Sequence, residues 1–174
     1  MRNIFQSLAC PVLAGSAVFL SACAGYSGSN LKPGLSTLPE VLASMGEPAM
    51  RWKNADGREQ LAYPRGPEGT QTFMAFIAAD GRLEKIEGVL DTAHFARIES
   101  GKSDKAAVLR VLGPPQPDWT IYFKARDELV WEWRYCSVWN EASRFDVLFD
   151  AATGKVRSTQ SRVENCGRGE CWCS

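Results

Sequence analysis

The stretch CGRGECWCS, residues 166–174, places Cys166, Cys171 and Cys173 close together near the end of the chain. A fourth thiol, Cys136, stands in WEWRYCSVW, residues 131–139. Thiols gathered like this cross-link, hold a soft metal or exchange electrons. The redox reading is weakened because no C-x-x-C pair is present. The metal reading lacks a clear ligand quartet, and His94 is the single histidine of the chain. Cross-linking is the expectation, and four cysteines allow three pairings. Cys136 bonded to one of the three tail cysteines would fasten the tail to its own strand, and the two left over can then pair with each other. A bond between Cys171 and Cys173, one residue apart, is disfavoured by strain.

Other residue types limit the chemistry further. One histidine rules against a histidine-based triad or a multi-histidine metal site. Asp80, Asp91, Asp146 and Asp150 fall in turns and on polar strand faces. No nucleophile elbow, phosphate-binding loop or metal motif is present, so a non-catalytic chain without a cofactor is expected. The loop RGPEGTQT, residues 65–72, is polar and glycine-rich but lacks the lysine of a phosphate cradle. In WEWRYCSVW, alternation puts Trp131, Trp133 and Tyr135 on one strand face and Glu132, Arg134 and Cys136 on the other. The aromatic face is either core beneath a helix or a platform for a partner. Trp139, in the loop that follows, is the better exposed candidate.

The amino-terminal residues are set aside before the fold is read. Arg2 precedes an apolar run from Ile4 to Leu20, broken only by Gln6, Ser7 and Ser16. That is the layout of a secretory signal peptide over residues 1–22. LSAC, residues 20–23, resembles a bacterial lipobox. The resemblance implies cleavage before Cys23 and acylation of its sulfur and new amino group, each buried methylene contributing about 0.8 kcal/mol. With Ala24 rather than aspartate next, it also implies sorting to the outer membrane, facing the periplasm, where disulfides persist. Residues 24–33, AGYSGSNLKP, read as a flexible tether reaching at most about 35 Å. From residue 23 on, 19 basic residues face 20 acidic ones, because Arg2 is the one charge removed. With no basic run, a nucleic-acid partner is not expected.

The elements that must position these residues come in two matching sets. ASMGEPAMRW, residues 43–52, is echoed by RVLGPPQPDW, residues 110–119, with Gly46, Pro48 and Trp52 matching Gly113, Pro115 and Trp119. Ser36, Val41 and Leu42 match Ser103, Val108 and Leu109, and further on Tyr63 matches Trp131, Phe73 matches Phe145 and Gly81 matches Gly154. The spacing between partners only grows, as loop insertions in a duplicated unit require. In the first copy Leu38, Val41, Leu42 and Met45 share one helix face. Thr37 and Glu40 form a capping box, and Gly46 with Pro48 stops the helix. In the second copy Ser103 is expected as N-cap and Gly113 as the stop. Strands are expected near 49–53, 58–63, 72–79 and 82–87, then near 118–124, 128–135, 143–150 and 155–162. LDTAHFARI, residues 90–98, reads as an extra helix between the copies.

Gly101, Val108, Leu112, Gly113, Pro115, Trp131, Phe149, Asp150, Gly154 and Val156 carry a pattern that resembles the small periplasmic lipoproteins of the SmpA/OmlA (BamE) family. The resemblance implies a helix pair on a three-stranded antiparallel sheet. The same architecture occurs in tandem in beta-lactamase-inhibitor-like proteins. The expectation is therefore α+β, with two tandem repeats over residues 34–88 and 89–163, each a helix or helix pair on a small antiparallel sheet, and a cysteine-rich tail over 164–174. The implied role is a scaffold or accessory in outer-membrane assembly, meeting an envelope protein partner such as the barrel assembly machinery. The alternative is a periplasmic inhibitor or ligand-binding module. The residues expected to act are Cys23 for lipid, Cys136, Cys166, Cys171 and Cys173 for disulfides, and Trp139, Trp133 and Tyr135 for a partner.

Overall fold

A computed structural model of the chain describes residues 27–65, 69–165 and 171–173. The chain is α+β, with two four-stranded antiparallel sheets and few helices. The first sheet has the order β1 (Met50–Lys53), β2 (Glu59–Arg65), β3 (Gln71–Ile77), β4 (Leu83–Gly88). The second repeats that meander with β5 (Ile121–Phe123), β6 (Glu128–Cys136), β7 (Ala142–Asp150) and β8 (Val156–Val163). Helix α1 (Leu38–Met45) precedes the first sheet, and α2 (Thr92–Phe95) and α3 (Lys105–Leu112) precede the second. Four strands per sheet agree with the residue patterns and not with the three that the family resemblance implied.

The helices begin and end for local reasons. In α1 the backbone N–H and hydroxyl of Thr37 both donate to Glu40 Oε2, at 2.7 and 2.9 Å, closing the expected box. In α3 the cap is Asp104, which accepts from Ala107 N at 2.9 Å, and not Ser103. Ser103 Oγ instead accepts from Glu99 N at 3.0 Å, as Ser36 Oγ does from Lys32 N. Both helices stop at a glycine with positive φ, 81° at Gly46 and 76° at Gly113, a region that costs a side chain dearly and glycine little. Each glycine N–H returns to the carbonyl four residues earlier.

The two units repeat one another bond for bond at these joints. Gly34 N donates to Leu83 O and Leu83 N to Ser36 O, while Gly101 N donates to Val156 O and Val156 N to Ser103 O. A bulge follows Phe76 in β3 and Leu148 in β7. With β3 and β7 aligned there, strand pairing shifts the β2–β6 correspondence from the sequence match. Ala62↔Met74 corresponds to Glu132↔Asp146, so the partner of Tyr63 is Trp133 and not Trp131.

Packing divides by face. Val41 and Met45 of α1 cover Leu61, Tyr63, Ala75, Ile77 and Leu83 on one face of the first sheet. Val108 and Leu112 of α3, with Phe95 and Ile98 from the α2 segment, cover Trp133, Tyr135, Phe145, Val147 and Phe149 on the second. Helix α3 has a second duty at its carboxyl end. A Cβ on Gly113 would sit 3.0 Å from Thr72 Cγ2 and 3.4 Å from Ala62 Cβ, on the far face of the first sheet. Gln60 Nε2 reaches back to donate to Arg110 O at 2.6 Å, satisfying a carbonyl that the last turn leaves open. The Arg110 guanidinium lies over the Trp52 ring and bonds Asn54. The first sheet is thus covered on both faces and the second on one.

The segment expected as a free tether is packed from residue 27 on. Leu31 lies against the α1 core, Gly28 is buried, and Ser44 Oγ donates to Asn30 Oδ1. The reach assigned to the tether therefore does not apply to residues 27–33.

Candidate functional site

Strands β6 and β7 extend beyond the core to a hairpin turn at 137–141. The turn is fixed by Ser137, whose Oγ accepts from the N–H groups of Trp139 and Glu141, each at 3.2 Å. Asn140 takes a left-handed φ of 61°, which asparagine tolerates better than most residues. Val138 and Trp139 are left in solvent, 88 % and 76 % exposed.

The tail docks on this turn. Cys136 and Cys173 form a disulfide, with Cα atoms 5.9 Å apart. Cys173 N donates to Asn140 O at 2.9 Å, and Asn140 Nδ2 donates to Cys173 O at 3.2 Å. Ala142 N donates to Cys171 O at 2.6 Å, and Trp172 bridges to Glu141 in antiparallel fashion. Trp172, 57 % exposed, thus joins Val138 and Trp139 on one covalently pinned tip. Cys171 is disulfide-bonded as well, so none of Cys136, Cys171 and Cys173 offers a thiolate to a metal. Cys23 and Cys166 lie outside the described residues.

Two of the aromatic candidates are core. Trp133 is 2 % and Tyr135 7 % exposed, beneath α3. Phe95 stacks on Phe145 at 3.9 Å between centroids and meets Tyr135 edge-on at 4.9 Å. The platform reading of Trp133 and Tyr135 is therefore corrected: alternation identified the shared face, and the α2 segment and α3 cover it. Trp139 alone of the three is available to a partner.

A second exposed apolar stretch was missed. Ile121, Tyr122 and Phe123 form β5, the outer strand of the second sheet, and all three are exposed. Its signal was three consecutive apolar residues, a run that alternation rules do not flag as surface. Tyr122 OH donates to Asp127 Oδ1 at 2.6 Å, and Arg126 lies over the Phe123 ring at 4.6 Å.

The uncovered face of the second sheet carries an ion network. Glu164 accepts from Arg134 and Arg144, at 2.6 and 2.7 Å. Arg144 also pairs with Glu132, Glu132 with Arg162, and Arg162 with Asp146 at 3.1 Å. Gln160 Nε2 donates to Asp146 Oδ2 at 2.9 Å. Burial pushes the Glu132 carboxyl above its ordinary value, and the neighbouring Asp146 adds to that push against the pull of Arg144. Burial would raise Glu164 too, but the guanidiniums of Arg134 and Arg144 together hold it below the ordinary value. Three carboxylates and three guanidiniums thus close on one another, and the face has little net charge to offer a ligand.

No protein-family model, curated protein or solved structure matches the chain. Among the described residues no helix is long and apolar enough to cross a membrane.

Proposed function

We propose that the chain is a non-catalytic outer-membrane lipoprotein with tandem BamE-like units, held through an acylated Cys23 and facing the periplasm. It acts as a scaffold or accessory in envelope assembly by binding another protein. The observation that carries this reading is the pinned hairpin tip. Val138, Trp139 and Trp172 stand in solvent on a turn locked by a disulfide, and large rigid aromatics held in place lose little entropy on binding. The disulfides support an oxidising compartment. Attachment to a membrane raises the effective concentration of the tip, so a weak contact suffices there.

Cross-linking in intact cells followed by membrane pull-down tests the proposal. Wild-type protein is expected to recover the barrel assembly machinery, and the Trp139→Ala, Trp172→Ala double variant is expected to lose it while staying folded. Equal recovery by both proteins removes the tip from the proposal. Two successive sheets of one plan favour a second reading, a periplasmic inhibitor or ligand-binding module of the beta-lactamase-inhibitor-like kind. Recovery of a soluble periplasmic enzyme would favour it. Mass spectrometry of the mature amino terminus is expected to show acylated Cys23, and an unmodified terminus would end the anchoring part of the proposal.

A further inference from the structure

Two glutamates on the uncovered face of the second sheet have the same cations about them and differ in one neighbour. Glu164 pairs with Arg134 and Arg144, and Glu132 with Arg144 and Arg162. Both side chains are more than nine-tenths buried. Across the strands Glu164 meets Ala142, to whose carbonyl its N–H donates, while Glu132 stands directly opposite a third carboxyl, Asp146. Side chains so placed have Cβ atoms about 4.5–5.5 Å apart, and like charges there repel.

Asp146 is 3 % exposed, and its two oxygens are unequally served. Oδ2 accepts from Gln160 Nε2 at 2.9 Å and from Arg162 Nε at 3.1 Å. Oδ1 is buried and, among the described residues, accepts from no N–H or hydroxyl. A buried acceptor is normally matched. The group that does hydrogen-bond the Asp146 side chain is the Glu132 carboxyl. Ionised carboxylates only accept, so a bond between two of them needs a proton on one. Asp146 Oδ1 is the atom that lacks a donor, which makes Glu132 the one that donates.

We propose that Glu132 and Asp146 bind one proton between them, Glu132 O–H donating to Asp146 Oδ1, and hold it after the exposed carboxylates of the chain have ionised. Two carboxylates side by side cannot both ionise without cost, so one keeps its proton. The two glutamates follow this contrast. Burial raises Glu132 and Asp146 adds to it, whereas Glu164, equally buried, is held down by its two guanidiniums. The charged groups facing the pair are Arg144 on β7 and Arg162 on β8, with the Trp119 ring laid over Arg144. Past the apolar row of Ile121, Val130 and Leu148, the next carboxylate is Glu128, paired with Arg126 and Arg157. Release of the shared proton as pH rises changes the charge of this face by one unit. The pair is therefore a pH-sensitive element of the second sheet, and it does not depend on the role proposed for the hairpin tip.

The test follows side-chain carboxyl carbons by NMR across pH, in the intact mature protein labelled there with carbon-13. Glu132→Gln and Asp146→Asn assign the two signals. The Glu132 carbon is expected to titrate at higher pH than the exposed glutamates. Exchange of H2O for D2O should shift the Glu132 and Asp146 carbons together, because both sit on one hydrogen bond. Asp146→Asn removes the like charge and should weaken proton binding at Glu132 by at least about tenfold, one pH unit. A Glu132 carbon that titrates with the exposed glutamates overturns the proposal. So does a high titration that Asp146→Asn leaves in place, since burial alone would then account for it. Should that variant fail to fold, the wild-type protein decides: an isotope shift at Glu132 without one at Asp146 means that the proton is not shared.

Discussion

The far faces of the two sheets differ where their architecture is the same. In the first sheet the cross-strand pair Ala62 and Met74 is fully buried, with Val89, beneath the end of α3. In the second sheet the corresponding pair is Glu132 and Asp146, built into the ion network. Thr72, buried in the first, corresponds to Arg144 in the second. One backbone plan therefore carries two surface chemistries, chosen by what lies above each face. A face that receives a helix is apolar and small. A face that receives no α-helix is charged and pairs with itself, with the Trp119 ring laid over Arg144. The lesson is that α3 belongs to both units: its apolar side completes one core, and its glycine end closes the back of the other.

The largest effect should come from breaking α3. Leu112→Ala is expected to cost about 2–5 kcal/mol in denaturant unfolding. Leu148→Ala, on the uncovered face, should cost no more than about 1 kcal/mol. Similar losses for the two would mean that α3 is not the shared element. Next is the tail. The Cys136–Cys173 bond spans 37 residues, and Cys173→Ser should lower stability by about 2–4 kcal/mol in the chain-entropy account. An unchanged denaturation midpoint would show the tail contributes nothing to the second unit.

The ion network should respond to pH in two directions. The Glu132 carboxyl is raised in the fold, so its contribution is full below the ordinary carboxylate range and is lost as pH rises through its raised value. The Glu164 carboxyl is lowered, so its contribution is present above that range and is lost as pH falls through its folded value. Melting temperature against pH should lose its neutral-side slope in Glu132→Gln and its acid-side slope in Glu164→Gln. The opposite assignment would contradict the network as drawn.

Smaller effects sharpen the likeness of the units. Glu40→Ala and Asp104→Ala each remove the side chain that closes a helix start, and each should cost about 1 kcal/mol. A large difference between them would show that the two joints are not equivalent. Smallest of all, Trp139→Ala should change stability by no more than about 0.5 kcal/mol, since the side chain stands in solvent.

The sequence revealed the element plan because local chemistry writes it plainly. Leu38, Val41, Leu42 and Met45 at helical spacing, Gly46 and Gly113 as stops, and Gly81 and Gly154 in turns needed no knowledge of what packs where. Face assignment was only half legible. Alternation grouped Trp131, Trp133 and Tyr135, yet which face a helix covers depends on residues far along the chain. The repeat match slipped by two residues at Tyr63 because aromatic identity outweighed register, which only strand pairing reveals. Ser103 and Asp104 are neighbouring residues of types that both cap helices, so residue type alone does not place the start of α3 at Asp104. The disulfide partner of Cys136 could not be chosen among three tail cysteines, since connectivity is a three-dimensional property. The unmatched Asp146 Oδ1 leaves no trace in sequence.

The self-neutralised face of the second sheet has a consequence for growth. Units that each lend a helix to the sheet before them have no intrinsic end: a third copy would lay its own helix over Glu132 and Asp146 and begin another layer. Stacks of this kind stay soluble only when the terminal member is polar on its outer side. Carboxylates and guanidiniums placed where the first unit has alanine and methionine give the second sheet an outer side of that polar kind.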